Sequence, residues 1–320
     1  MKLTNVESMW LGLTKAIMQR NSSVAIVRRS RSALICRLVT RLAFAALVAV
    51  NARVPARASD VDSEHIFGFT EGADIGRAGE REAESENIGH LGKSAGSYAA
   101  LLQTDSVKIL PIDNFRVSAN VVLAHFGISG VPDLADHQLT GLQGASFEAR
   151  YMLINRRSGP FGLTAIFEPR WSQIDANSGE HLTAYGALLT LVVDKELIDD
   201  RLLATLNVLY DGQTTRFPAV DNWIHDSKIG VSAALSTRIT SAAFVGGELR
   251  YLRVFDGLGL DTYSGQALFA GPTFYVQIAQ GMALSGAWNT QVTGRSSGGG
   301  PLDLVHFERH QVKLRFNSNF

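Results

Sequence analysis

Beyond residue 64 the chain alternates hydrophobic and polar positions with a period of two, and runs with helical spacing are almost absent. The pattern is plainest in HQVKLRFNSNF (310–320). Val312, Leu314, Phe316 and Phe320 fall on one side, and Gln311, Lys313, Arg315 and Asn317 on the other. Such segments predict strands with two unlike faces. Twelve are expected, at 65–76, 96–110, 115–128, 144–157, 161–174, 183–197, 201–217, 223–239, 243–256, 266–278, 282–295 and 305–320.

The connections alternate in length. PIDN (111–114), SGP (158–160), IDD (198–200), TSA (240–242) and AQG (279–281) suit tight hairpins. Between them lie longer stretches, among them 76–94, 129–143, 175–182, 257–265 and 296–304. Short and long connections in turn are the rhythm of an antiparallel transmembrane barrel. An even strand count places both ends of the sheet on one side.

Alternation alone also fits a soluble sandwich. The aromatics weigh against that. Trp171, Tyr185, Tyr210, Trp223 and Tyr251 share the parity of the apolar face and fall near the long-loop ends of their strands. A ring of amphipathic aromatics at one height suits a membrane–water boundary. The apolar face is therefore expected to meet lipid and the polar face an enclosed lumen. Closure is required, because hydrocarbon satisfies no free backbone groups. Pro169 and Pro272 fit poorly inside closed strands, and Asp105 falls on the lipid-side parity of its strand.

The first part of the chain differs in kind. Arg28, Arg29, Arg31, Arg37 and Arg41 precede LAFAALVAV (42–50), and Ala56-Arg57-Ala58 follows. This is the layout of a secretory signal peptide, with cleavage expected after Ala58. The expected organisation is thus a signal peptide at 1–58 and a barrel at 59–320. Without that peptide 20 basic residues face 29 acidic ones, which makes nucleic acid a poor partner. Cys36, the single cysteine, falls in the part removed. The exported chain would have no disulfide and no thiolate metal site. The histidines lack metal-ligand spacing, and no cofactor is expected.

An alternating last strand ending in Phe320, after a signal peptide and paired strands, resembles the outer-membrane β-barrel proteins of Gram-negative bacteria. FGFTEGADIGRAGERE (67–82) and FERHQVKLRFNSNF (307–320) also resemble a group of proteobacterial envelope proteins without assigned activity. The resemblance implies outer-membrane lipid and lipopolysaccharide as surroundings. It also implies that Phe316 and Phe320 form the signal read by the barrel-assembly machinery.

The expected lumen-lining residues are Arg116, Glu148, Arg150, Glu168, Arg170, Glu248, Arg250, Arg309, Lys313 and Arg315. Pairing across SGP would set Glu148 against Arg170 and Arg150 against Glu168. The inventory leans positive, with negative charge placed in the first loop at Glu80, Glu82, Glu84 and Glu86. A basic lumen favours anionic solutes. Twelve strands leave an interior between the filled eight-stranded barrel and the open porin. No long plug domain of the kind that gates siderophore transporters is evident. The expected function is a narrow passive channel for small solutes. The alternatives are a closed barrel that interacts through its loops and, third, an outer-membrane lipid hydrolase. For the hydrolase, His125 near Ser129, and His310 set by guess near Ser285, lack an evident orienting partner.

Overall fold

A computed structural model of the chain describes residues 63–218, 222–296 and 299–320. The expected signal peptide and its cleavage point lie outside the described residues. Among those described there is no helix, and twelve strands form one closed antiparallel barrel. They are β1 (Arg81–Leu91), β2 (Ser97–Ile112), β3 (Phe115–Ser129), β4 (His137–Ile154), β5 (Gly162–Ile174) and β6 (His181–Ile198). The second half comprises β7 (Leu202–Arg216), β8 (Ile224–Thr240), β9 (Ala243–Asp256), β10 (Thr262–Ala279), β11 (Met282–Ser296) and β12 (His310–Asn319). Each strand pairs with its sequence neighbours. The barrel closes where β1 meets β12, from Glu82 opposite Asn319 to Leu91 opposite His310.

Parity decides which medium each side chain meets. Phe147, Tyr151, Leu153, Phe167, Leu189, Leu191, Val208, Leu249, Val312, Leu314 and Phe316 are large, apolar and exposed. Their strand neighbours Arg150, Thr190, Asn207, Glu248, Lys313 and Arg315 are polar and buried. A soluble protein has the reverse arrangement. The outside is an apolar belt and the inside is polar, as in an outer-membrane barrel. Trp171, Tyr185 and Trp223 stand exposed at the loop end, and the rings of Tyr185 and Trp223 are 6.2 Å apart.

Turn geometry closes the other end. Asn114 and Gly281, with φ of 70° and 71°, supply the left-handed residue of their two-residue turns. In outer-membrane barrels this short-turn end is periplasmic, and both ends of the sheet lie there. Each proline sits where one of its two ladders lapses. The β4–β5 pairs stop between Ser146–Arg170 and Ala149–Phe167, around Pro169. The β10–β11 pairs stop between Ala270–Thr290 and Thr273–Ala287, around Pro272. A residue without an N–H costs least where no partner awaits it.

Two expectations for the N-terminal side are corrected. Residues 65–76 form no strand, and the first strand is β1, inside the stretch expected to be a loop. The segment RAGEREAESENIGH (77–90) was hidden because β1 alternates glutamate with small or polar residues, here REAESENIGHL, and so carries no apolar face. The predicted pairing across SGP is also corrected. The connection spans 155–161, with the N–H groups of Ser158 and Gly159 both donating to the Asn155 carbonyl. The register consequently shifts by two, and Arg170 lies opposite Ser146 and Arg150 opposite Ile166.

Candidate functional site

The segment that precedes β1 fills the periplasmic half of the lumen. Its composition explains the path. Gly68 and Gly72 lie where no side chain fits: a Cβ at Gly68 would stand 2.4 Å from Glu248 Oε1 and 2.6 Å from Ala287 Cβ, and one at Gly72 would stand 2.0 Å from the Ser63 carbonyl oxygen. The chain rises from Ser63 to Phe69 and Thr70 and returns through Ala73 to the rim. Its two feet are tied together, since the Ser63 N–H donates to Asp74 Oδ2 at 2.9 Å and the Asp74 N–H donates to Ser63 Oγ at 3.3 Å. The shape is that of a compact Ω-loop, here turned inward.

Hydrogen bonds from the wall satisfy the loop's backbone. The N–H groups of Phe69 and Thr70 donate to the two Glu248 oxygens at 3.0 and 2.8 Å, and the Thr70 hydroxyl donates to Oε2 at 2.8 Å. Asn207 reads Glu71 twice: its Oδ1 accepts from the Glu71 N–H, and its Nδ2 donates to the Glu71 carbonyl at 3.0 Å. The Thr164 and Ser236 hydroxyls donate to the carbonyls of Ala73 and Ile66. Asp194 accepts from the Ala73 N–H and from the Ser63 hydroxyl. A backbone buried this way must find such partners or pay the full desolvation cost.

Charge completes the fit. Glu71 meets Arg315 at 3.1 Å, Arg150 at 3.4 Å and Lys313 at 3.9 Å. Glu64 is paired with Arg116 and with Lys108. His65 lies 3.1 Å from Glu82. Asp74 accepts from Arg156 at 2.6 Å. Burial pushes the Glu64 and Glu71 carboxyls up, but the neighbouring cations outweigh it. Arg116, His65 and Lys108 hold Glu64, and Arg315, Arg150 and Lys313 hold Glu71, well below the ordinary carboxylate range. Phe69 at the apex carries Arg250 over its ring at 4.2 Å and Lys313 at 5.5 Å. Ile66 and Phe67 pack on Leu203, Ala234 and Phe244.

Nine of the ten expected lumen residues lie on inward parity, and several hold this loop. Arg116, Arg150, Lys313, Arg315, Glu248 and Arg250 all contact it. Glu148 pairs with Arg150 at 2.6 Å, Glu168 accepts from Ser146 at 2.6 Å, and Arg170 pairs with Asp211. Arg309 is corrected: it is exposed in the connection before β12, where its N–H donates to the Gly92 carbonyl. Phe316 and Phe320 are exposed at the turn end.

The basic lean of the lumen is corrected as well. Glu82, Glu84 and Glu86 sit on β1 and point inward, not in an outer loop. Lys108 pairs with Glu82 and Glu84 at 2.7 Å each, and Lys313 pairs with Glu86 at 2.6 Å. These glutamates, with Glu64 and Glu71, answer the arginines. Sequence reasoning passed over them because their period-two spacing carries charge, not hydrophobicity.

The loop end is packed by different means. Tyr98, Ala100, Ala124, Phe126, Ile128 and Ile174 form an inward apolar cluster, covered by Val131. Across the lumen Leu252, Ala267 and Phe269 receive Phe307 from the β11–β12 connection, with the two phenyl rings 6.0 Å apart. Lys93 straps that connection by donating to the carbonyls of Val305 and Phe307 at 3.2 and 3.0 Å.

The residues weighed for hydrolysis are not assembled. His125 Nδ1 lies 3.0 Å from Thr140 Oγ1, while the Ser129 hydroxyl donates to Asp136. His310 lies 3.0 Å from Thr290 Oγ1, while Ser285 is buried opposite Arg315 on the lumen side. Glu64, His65 and Glu82 approach as a potential metal-ligand trio. Lys108 sits among the same carboxylates and already balances their charge.

Several solved barrels are similar to this chain in outline. The translocator domain of the autotransporter NalP from Neisseria meningitidis is 13% identical, with a TM-score of 0.44, over 90% of this chain and 96% of that one. The β domain of the Bordetella autotransporter BrkA is 12% identical, with a TM-score of 0.48, over 76% of this chain and 100% of that one. The KdgM porin in complex with disordered oligogalacturonate is 10% identical, with a TM-score of 0.41, over 75% of this chain and 99% of that one. Likenesses at this level bring no activity with them. No curated protein matches the chain. A family model described as "Family of unknown function (DUF6662)" matches residues 59–320.

Proposed function

The chain belongs to that family, DUF6662, and from the geometry of its lumen we propose a gated passive channel for small solutes. The observation that carries this reading is the chemistry of the interface between the inward loop and the wall. Glu248, Asn207, Thr205, Arg150, Lys313 and Arg315 hold the loop through hydrogen bonds and ion pairs. Every one of those groups can exchange its partner for water. If the loop withdraws, the wall it leaves is wettable. A lumen filled only to stabilise the barrel has no need of so polar a contact, because apolar packing of equal volume is as stable or more so.

The permeating solutes are small, because twelve strands give a narrow bore. The balanced wall gives no strong preference for anions while the loop is in place. Withdrawal would remove Glu64 and Glu71 and leave Arg116, Arg150, Lys313 and Arg315 with less compensation. The open state would therefore favour anions.

The second reading is a barrel that stays closed and acts through its outer surface. The apolar packing at the loop end favours it. Planar-bilayer recording separates the two. The intact protein should be silent or open rarely, and a variant lacking residues 64–74 should conduct steadily. A deleted barrel that folds, shown by its heat-modifiable mobility, and yet stays silent would exclude the channel and leave the closed barrel.

A further inference from the structure

The outer wall is not uniform. Most strands turn large apolar side chains outward, such as Phe147 and Tyr151 on β4, Leu189 and Leu191 on β6, and Leu249 on β9. The sector formed by β1 and β2 departs from this. The outward positions of β1 are Ala83, Ser85, Asn87 and Gly89, and halfway along β2 stand Gln103 and Asp105. The register sets Ser85 opposite Asp105 and Asn87 opposite Gln103. Four polar side chains thus share one patch at mid-height of the belt.

Asp105 is exposed on this patch, and among the described residues no lysine or arginine pairs with it. Gln103 Nε2 donates to its two oxygens at 3.3 and 3.0 Å. The β2 register runs unbroken through Asp105 opposite Val121, so no bulge turns the carboxylate inward. An outer groove of about 730 Å³ runs beside it, lined by the small residues Ala83, Ser85, Ala119 and Ala145 together with Val107, Val121 and Phe316. A carboxylate facing hydrocarbon at this depth is among the costliest placements in a membrane. Such residues normally face protein or enclosed water.

We propose that the β1–β2 sector is a self-association surface, against which a second copy of this chain docks with the same sector. The chemistry is self-complementary. Asp105 is an acceptor without a cation, and Asn87, Gln103 and Ser85 are donors within two residues of it in register. Copies inserted in the same direction relate by a two-fold axis along the membrane normal, which preserves depth. Asp105 of one copy then meets the donors of the other, and the same contact recurs by symmetry. Ala83, Gly89, Ala119 and Ala145 allow the two walls to approach closely, as small residues do between membrane helices. An anionic lipid headgroup does not meet the same need, because it repels the carboxylate.

The test uses the full-length protein, folded and reconstituted in lipid vesicles at graded protein-to-lipid ratios, with self-association read by energy transfer between labelled copies. The wild type should dimerise. Asp105→Leu removes a charged hydrogen-bonding partner and should weaken the dimer by roughly tenfold or more. Asn87→Leu should act in the same direction and less. In a Cys36→Ser background, Ser85→Cys should cross-link to its own kind, and Leu189→Cys, on another wall, should not. The cross-linking arm decides the matter if Asp105→Leu does not fold. A wild type that stays monomeric at every ratio overturns the proposal. So does undiminished dimerisation of folded Asp105→Leu, or equal cross-linking from both walls. None of these outcomes depends on conductance.

Discussion

One tube is packed at both ends, and the two packings are chemically opposite. At the turn end the inward loop is held by carboxylates, amides and guanidinium groups, with its own backbone hydrogen-bonded to the wall. At the loop end Tyr98, Phe126, Ile128 and Ile174 pack together on one wall, and Phe269 and Phe307 on another. The difference teaches which end can act as a gate. A polar interface exchanges its partners for water at small net cost, since each internal hydrogen bond is worth only about 0.5–1.5 kcal/mol net. An apolar cluster opened to water loses about 25 cal/mol for every Å² exposed and gains nothing in return. The polar end can therefore cycle, whereas the apolar clusters are fixtures of the wall.

Removing residues 64–74 breaks the comparison outright. It should turn a silent barrel into a steadily conducting one in planar bilayers, the largest effect expected. Next come the fixtures. Phe307→Ala or Phe269→Ala should cost about 3–5 kcal/mol of stability by denaturant titration, as for other buried phenylalanines, without producing steady conductance. If either opened the channel as fully as the deletion does, the assignment of gate and fixture would be reversed.

Glu248→Ala is the sharper probe of the polar end. It strands the N–H groups of Phe69 and Thr70 and the Asn289 amide. The loop should loosen by about 1–3 kcal/mol for each group left unsatisfied, seen as frequent brief openings in a barrel that still folds. The smallest effect concerns pH. Glu64 and Glu71 titrate below the ordinary carboxylate range. Their contribution is present above the unfolded carboxylate pKa of about 4.3 and is lost only as pH falls through the lower folded value. Conductance should accordingly stay flat between neutrality and about pH 5, a range that lies above both values. A rise across that interval would mean that a group other than these two carboxylates, such as His65 beside Glu64, governs the loop.

The contrast between β2–β12 and the first stretch of chain shows where sequence reading succeeds. For eleven strands the parity of large apolar side chains located the strand, the lipid face and the lumen face together. That is a local property, since one residue's displacement exchanges the two faces. Asp105 obeyed the same rule against chemical intuition, and the structure keeps it outside. On β1 the rule had nothing to grip, because both faces of REAESENIGHL are polar or small. Its glutamates do alternate, and a search for period-two charge would have found them.

What the sequence determined by itself was therefore the closed antiparallel barrel, its orientation inside out relative to a soluble protein, and most of the charged wall. The alternation of faces is written residue by residue. Only tertiary structure decided that residues 63–75 fold back into the lumen, that Glu82, Glu84 and Glu86 face Lys108 and Lys313, and that Arg170 pairs with Asp211. Those choices join residues up to 250 positions apart, as in the contact of Arg315 with His65. They depend on which cation is left uncompensated once the wall has closed, and no local pattern encodes that.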